Sequence, residues 1–334
     1  MTKPGLWLAI FASACVANTT DPQAPTNPPP DPVTFGTLPV CRDRPFTPAP
    51  TEDWRHSIQT PIITAAGAAN HMGRDLIAKT SSVTLNAKFT YGAISKDLED
   101  EDVRVFLDDC TGWIDLGDFT TDSDGQIHAT LTRTLPMGVY DVMFQVLGDA
   151  STTRASLWVL PAGTKLVVTD IDGTLTSSDS QLFKQILDGS HVPVAYPDAV
   201  TLTRAHVARG YIPVYLTGRP DWLAGKTRGW LSQLGFAPGP LRVTDSNKQI
   251  LPTEGSVGDF KKAVLTKLMQ DYEIVFAYGN ASTDIYAYLG AGLDPANVWI
   301  IGKHGGEQAT NDAGSAWTDR VAEVETLPMA QQPF

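Results

Sequence analysis

The hydrophobic period of the chain changes once, near residue 163, and that change limits what it can fold into. Between 81 and 160 apolar residues alternate with polar ones: SVTLNAKFTY (82–91) places Val83, Leu85, Ala87, Phe89 and Tyr91 on one face. Such alternation marks a strand buried on one side only. VRVFL (103–107), WIDL (113–116), QIHATLT (126–132), VYDVMFQV (139–146) and RASLWVL (154–160) follow, separated by turn sequences such as DSDG (122–125). Short strands at this spacing without helical stretches predict a small all-β, immunoglobulin-like sandwich. In LPMGVYDV (135–142), Tyr140 resembles the corner tyrosine of such sandwiches. From 163 onward continuous apolar runs, KLVVTD (165–170), IPVYLT (212–217), EIVFAYG (273–279) and NVWII (297–301), alternate with helical patterns near 180–188, 198–209, 220–234, 259–271 and 282–290. That rhythm predicts an α/β fold, a Rossmann-like parallel sheet with covering helices. Ligands of such sheets sit at the carboxyl ends of the strands.

Polar residues collect at those ends. Asp170 and Asp172 follow the run KLVVT, with Gly173 and Thr174 behind them. If the strand stops near Thr169, both carboxylates face one crevice while Ile171 returns to the core. Gly173 frees the backbone for a sharp turn. Asp170 is the candidate nucleophile, because a carboxylate attacking phosphorus gives an aspartyl-phosphate. Attack on a phosphate dianion needs a hard cation with oxygen ligands, which Mg²⁺ supplies. Asp172 is the candidate acid/base. Thr217, Gly218 and Arg219 end the next strand, where a hydroxyl and backbone N–H groups can hold phosphate oxygens together with Gly173 and Thr174. Lys261 or its neighbour Lys262 would offset the charge of Asp170. Asn280 and Asp284, after another apolar strand, offer oxygens to a metal, and both also suit a helix N-terminus.

Taken in order, these motifs resemble the haloacid dehalogenase superfamily over roughly 163–305. TDIDGTLTSSD (169–179), KTRGWL (226–231), GPLRVTDSN (239–247), DFKKAVL (259–265) and YGNASTDIYAY (278–288) look more specifically like segments of the lipin-type phosphatidate phosphatases. The resemblance implies Mg²⁺-dependent release of phosphate from phosphatidic acid or a related lipid phosphate. It favours Lys261 over Lys262. It implies Mg²⁺ held by Asp170, Asp172 through its backbone, and Asn280, with Asp284 behind. LTGR (216–219) stands where lipins have Ser-Ala-Arg, and Ala281 follows Asn280 where they have Arg. A related branch, the phosphatidylinositol-transfer proteins, carries this domain as a lipid-binding module without catalytic competence. The presence of both Asp170 and Asp172 argues for the catalytic branch.

Between Thr176 and Pro213, and between Pro220 and Lys261, there is room only for a minimal cap, so the site should be open to a membrane headgroup. Residues 219–262 hold seven basic against four acidic residues, a candidate patch for an anionic lipid or membrane surface in a chain of net charge −12. Trp222 and Trp230 are candidates for a headgroup interface, with core packing the alternative. The net charge excludes bulk nucleic-acid binding. KDLEDED (96–102) reads as a solvated acidic loop, with a calcium site as the alternative.

LWLAIFASA (6–14) is too short to span a bilayer and ends at ASAC. This resembles a bacterial lipoprotein signal that would make Cys15 a lipidated N-terminus, with plain periplasmic export or secretion the alternative. Cys41 and Cys110 then remain as one possible disulfide or two free thiols. The chain divides into a signal segment (1–15), a structureless Pro-rich linker (16–50), a connecting segment (51–80), the sandwich (81–161) and a phosphatase domain (162–334). A phosphatase for a soluble or protein phosphomonoester, and a non-catalytic lipid-binding module, are the alternatives.

Overall fold

The computed structural model describes residues 34–65, 67–80, 82–92, 95–178, 192–244 and 254–334. The expected signal segment with Cys15, most of the Pro-rich linker and the helix near 180–188 lie outside them. So do parts of both stretches on which the minimal cap was argued.

A β-sandwich precedes a mixed α/β domain. One layer of the sandwich is built on β1 (Val40–Cys41), β3 (Leu76–Ala78), β7 (Asp102–Asp108), β8 (Trp113–Thr120), β10 (Gly138–Val146) and β11 (Thr152–Val159). These run in the order β3-β11-β10-β7-β8, with β1 parallel to the start of β10. The other layer is β2 (Met72–Gly73), β4 (Thr84–Lys88) and β9 (Gln126–Thr130), continued by the hairpin β5 (Thr90–Tyr91) and β6 (Lys96–Asp97). The alternating residues meet between the layers, where Leu85, Ala87 and Phe89 pack with Val103, Val105, Leu107, Val142 and Phe144. The Tyr140 hydroxyl donates to the Pro136 carbonyl at 2.9 Å, closing the corner.

The other face of β10 carries Asp141 and Gln145, both fully buried. The N-terminal chain covers them. Asp43 N donates to Asp141 at 2.8 Å, and the Gln145 amide makes two 2.8 Å bonds to the backbone of Ala49. Glu101 accepts from the backbone N–H groups of Arg55 and His56 and from Thr60 Oγ1, at the start of the helix Gln59–Thr64. Residues 34–50 are therefore not a structureless linker, and 51–80 is not a mere connector. Buried polar groups on the sandwich need partners, and the backbone of this strap provides them. A Cys41–Cys110 disulfide fastens its start. The acids of 96–102 are consumed in pairs such as Lys88–Asp97, Lys96–Glu99 and His56–Asp100.

The α/β domain holds a parallel sheet of β12 (Lys165–Thr169), β13 (Ile212–Pro220), β14 (Leu241–Thr244), β15 (Glu273–Gly279), β16 (Val298–Ile300) and β17 (Asn311–Asp312). Their order is β14-β13-β12-β15-β16-β17. Strand order reverses beside β12, so the crevice between the ends of β12 and β15 is the position such a topology offers a ligand. On one face, Leu265 and Ile285 of the helices Glu254–Leu268 and Ser282–Ala291 pack on Leu166, Val168 and Val214. On the other, Leu202, Trp230 and Val324 of the helices Ala199–Ala208, Ala224–Gln233 and Thr318–Thr326 pack on Val167, Tyr215 and Tyr278. The last of these helices, and β17, are not among the elements expected from the sequence.

The two domains share interior. Trp158 points out of the sandwich into the core that contains Leu166, Val168 and Ile212. Asp75, 1% exposed, accepts from Ser156 N at 2.7 Å, Leu241 N at 2.8 Å and Arg228 Nη2 at 3.0 Å. Among the described residues no helix is long and apolar enough to cross a membrane.

Candidate functional site

β12 ends at Thr169, and Asp170 N donates to the Tyr278 carbonyl of β15 at 2.9 Å. This bond locks the first residue of the turn against the neighbouring strand. Gly173 takes φ +73°, and its N–H donates to Thr176 Oγ1 at 2.9 Å. The turn sends Thr174 back over Asp170. The Thr174 hydroxyl stands 3.0 Å from Asp170 Oδ2 and 3.1 Å from Asn280 Oδ1, so two hard oxygens from different strand ends converge on one hydroxyl.

Lys261 Nζ, buried, lies 2.6 Å from Asp170 Oδ1 and 2.6 Å from Asp284 Oδ1. Lys262 instead lies over the ring of Tyr286, 5.4 Å from its centroid. The second oxygen of Asp284 accepts from the backbone N–H groups of Asn280 (3.0 Å) and Ala281 (3.1 Å), capping the helix start. Gly279 makes room for that carboxylate, since a Cβ there would lie 2.6 Å from Asp284 Cβ. Burial pushes the Asp170 carboxyl up to about 7, with Lys261 pulling it down and Asp284 and Asp172 adding to the rise. Burial alone would favour loss of the Lys261 proton, but Asp170 and Asp284 outweigh it and hold the amine above its ordinary range. The amine therefore stays charged. It shares one charge between two carboxylates, of which Asp284 has the backbone donors as well.

Asp172 is held differently. Arg219 Nε stands 2.9 Å from its Oδ2 and Nη2 stands 2.9 Å from its Oδ1, and Thr217 Oγ1 donates to Oδ2 at 3.2 Å. Arg219 is fully buried and also donates to Thr227 Oγ1 at 2.9 Å. Arg219 and Thr217, expected to face a phosphate, are thus placed on Asp172. Gly218 packs against Val257, whose Cγ1 a Cβ would approach to 2.9 Å.

The ten residues singled out in the sequence therefore gather at one end of the sheet. Three carboxylates (Asp170, Asp172, Asp284) face two cations (Lys261, Arg219). Among the described residues no group of three His, Cys, Asp or Glu is arranged to hold a metal. Asp172 sits in the Arg219 fork and Asp284 on Lys261 and backbone, so a magnesium ion here would have Asp170 and the Asn280 amide to hold it.

Three of the seven basic residues of the expected patch are engaged in structure. Arg219 and Lys261 are buried in ion pairs, Arg228 bonds Asp75 and the carbonyls of Arg154 and Gly73, and Lys248 lies outside the described residues. Trp230 is buried and donates to the Pro193 carbonyl at 2.8 Å. Sequence reasoning missed Trp317 altogether. Its indole N–H donates to the Thr174 carbonyl at 2.9 Å from far down the chain.

Two family models match the chain, the beta-sandwich domain of PITM 1-3 over residues 69–159 and the LNS2 domain of PITM 1-3 over residues 167–302. Protein retinal degeneration B of Drosophila melanogaster is 32% identical over 271 residues, 78% of this chain and 20% of that protein. Membrane-associated phosphatidylinositol transfer protein 1 of Rattus norvegicus is 32% identical over 268 residues, 77% of this chain and 20% of its own length. Membrane-associated phosphatidylinositol transfer protein 3 of Homo sapiens is 33% identical over 266 residues, covering 76% and 26% respectively. The chain spans about a fifth of the length of the first two of these relatives. These matches overturn the identification as a lipin-type phosphatase of the haloacid dehalogenase superfamily, and with it the assignment as a hydrolase. The description as a lipoprotein phosphatase falls too, since what is matched carries the names of lipid-transfer proteins. The physical misstep was to take the presence of Asp170 and Asp172 as enough for catalysis, when Asp172 is bound on both oxygens. In both of its folded halves the chain is similar to the adjoining sandwich and LNS2 domains of the membrane-associated phosphatidylinositol transfer proteins.

Proposed function

We propose that this chain binds the phosphate of an anionic membrane lipid at the carboxyl end of its parallel sheet, as a lipid-binding module without hydrolytic turnover. The observation that carries this reading is the Arg219–Asp172 fork. A general acid must present an oxygen to the departing group. Here both oxygens of Asp172, the carboxylate expected to do that, face a guanidinium. Asp170, Asn280 and Thr174 are the groups this reading assigns to binding, with Lys261 holding Asp170 in place.

With three carboxylates against two cations, a phosphate meets net repulsion at this crevice. Asp170 and Asn280 are the residues that would hold Mg²⁺, a cation commonly bound through one or two carboxylates plus phosphate oxygens and water. When bound it would supply the positive charge that a phosphate needs. Lys261 fixes the orientation of Asp170 toward Thr174, and Asp284 fixes Lys261. The names of the relatives support a lipid or membrane partner for this chain.

Co-sedimentation with phosphatidylcholine vesicles, plain or doped with phosphatidic acid or a phosphoinositide, tests the reading when phosphate release is followed in the same tubes. The reading predicts binding to doped vesicles in Mg²⁺, with no phosphate released. Equal binding to plain vesicles, or release of phosphate in step with protein, contradicts it.

A further inference from the structure

The C-terminal segment lies beyond residue 302, where the match to the LNS2 domain stops. It nevertheless reaches the site from behind. Trp317 is fully buried, and its Nε1–H donates to the Thr174 carbonyl at 2.9 Å. Its ring stands edge-on to Tyr278, with centroids 5.3 Å apart and planes at 90°. Tyr278 is the residue whose carbonyl receives Asp170 N, and it lies two positions before Asn280. One side chain therefore touches both halves of the crevice, the turn that carries Thr174 and the strand that delivers Asn280.

The segment around Trp317 is fixed in turn. Trp317 N donates to the Pro197 carbonyl, and Thr318 Oγ1 donates to Asp198. Arg320 Nε donates to the Tyr278 hydroxyl at 2.9 Å, with the guanidinium 4.3 Å from the centroid of the Trp299 ring. Farther on, the Gln332 side chain bonds both backbone groups of Lys165, at the start of β12. The indole is held from its own side, so its bond to Thr174 restrains the turn.

We infer that Trp317 is a positioning residue for the phosphate site, holding the Thr174 carbonyl so that the hydroxyl of the same residue meets Asp170 and Asn280. The inference rests on the lipid-phosphate reading for its consequence, and on contacts within the chain for its geometry. A single neutral hydrogen bond contributes about 0.5–1.5 kcal/mol, which corresponds to roughly a 2- to 12-fold change in an equilibrium constant.

The test uses the full chain with Trp317→Phe, which keeps an aromatic ring against Tyr278 and removes the donor. Val324→Ala is the control: it loosens the same C-terminal helix in its buried core and removes no hydrogen bond. Binding to phosphatidic acid vesicles in Mg²⁺ should weaken several-fold in Trp317→Phe and stay at the wild-type level in Val324→Ala, even where Val324→Ala has the lower melting temperature. Hydrogen exchange of the lipid-free proteins should rise at 171–176 in Trp317→Phe alone. Exchange at 171–176 that does not change in Trp317→Phe, or affinity that follows melting temperature across both variants, overturns the positioning role. Wild-type protein that binds no vesicle overturns the lipid-phosphate reading, and the exchange data still decide the role of Trp317.

Discussion

Arg219 and Asp172 face each other as a fork and a carboxylate, with Nε 2.9 Å from Oδ2 and Nη2 2.9 Å from Oδ1. The pair joins the turn after β12 to the end of β13, and it sets what the crevice can do. A guanidinium binds a carboxylate with two parallel bonds, which an ammonium cannot reproduce. Arg219→Ala leaves Asp172 largely enclosed beside an emptied cavity. Loss of one partner of a buried pair costs about 3–5 kcal/mol. Urea unfolding should report a loss of that order for Arg219→Ala, with Arg219→Lys recovering only part. Wild-type stability in Arg219→Ala would show that the fork holds nothing together.

The sandwich and the α/β domain should unfold as one unit because Asp75 is shared between them. Its carboxylate takes N–H groups from both domains and the Arg228 guanidinium, all while buried. Asp75→Ala strands two backbone donors and one cation. Unpaired buried groups of this kind cost about 1–3 kcal/mol each. Calorimetry should show a single transition for the wild type and a lowered, broadened or split transition for Asp75→Ala. One sharp transition at the wild-type temperature would contradict the claim.

Two buried histidines should make the fold sensitive to mild acid. Burial lowers His71 to about 4 and His206 to about 3, from an ordinary value of 6.5. The unfolded chain binds protons at these positions as pH falls through 6.5, and the folded chain does not, so stability falls with falling pH. The loss continues down to the folded values. For His71 it reaches roughly 3 kcal/mol over the whole range. Urea midpoints measured between pH 6.5 and about 5, where ordinary carboxylates remain ionised, should decline steadily. His206→Gln should have a much shallower slope than the wild type, because one histidine is gone and Asp170, raised to about 7 in the fold, takes up its proton over the same range and opposes the loss. A flat profile in the wild type would contradict this account.

The residues of the site were legible in the sequence because most of them sit at a local boundary. Asp170 ends an apolar run, Lys261 lies on a helix, and Asn280 precedes the next helix. Periodicity marks such places well. Side-chain partnership across the fold leaves no such mark. Nothing in LTGR shows that Arg219 turns onto Asp172 and away from a ligand, and this separates a carboxylate ready for acid catalysis from one held in a clamp. The strap over β10 was illegible for a related reason. Its Pro-rich composition reads as a tether, while its partners Asp108, Asp141 and Gln145 lie 64 to 98 residues away, where their burial cannot be seen. Trp317, with Val321 and Val324 four and seven residues on, keeps a helical period, but that period does not show that its indole reaches Thr174. The switch from alternating to continuous apolar runs near 163 did locate the passage from sandwich to parallel sheet, because burial on one face or on both writes directly into the sequence.

The account turns on Asp170 binding a lipid phosphate through a cation, and vesicle binding by wild type and Asp170→Asn, each in Mg²⁺ and in EDTA, measures this most directly. The wild type should bind phosphatidic acid vesicles in Mg²⁺ and lose most of that binding in EDTA. Asp170→Asn should bind weakly in both conditions, with no phosphate released by either protein. Equal binding by the two proteins with the same response to EDTA would contradict the claim.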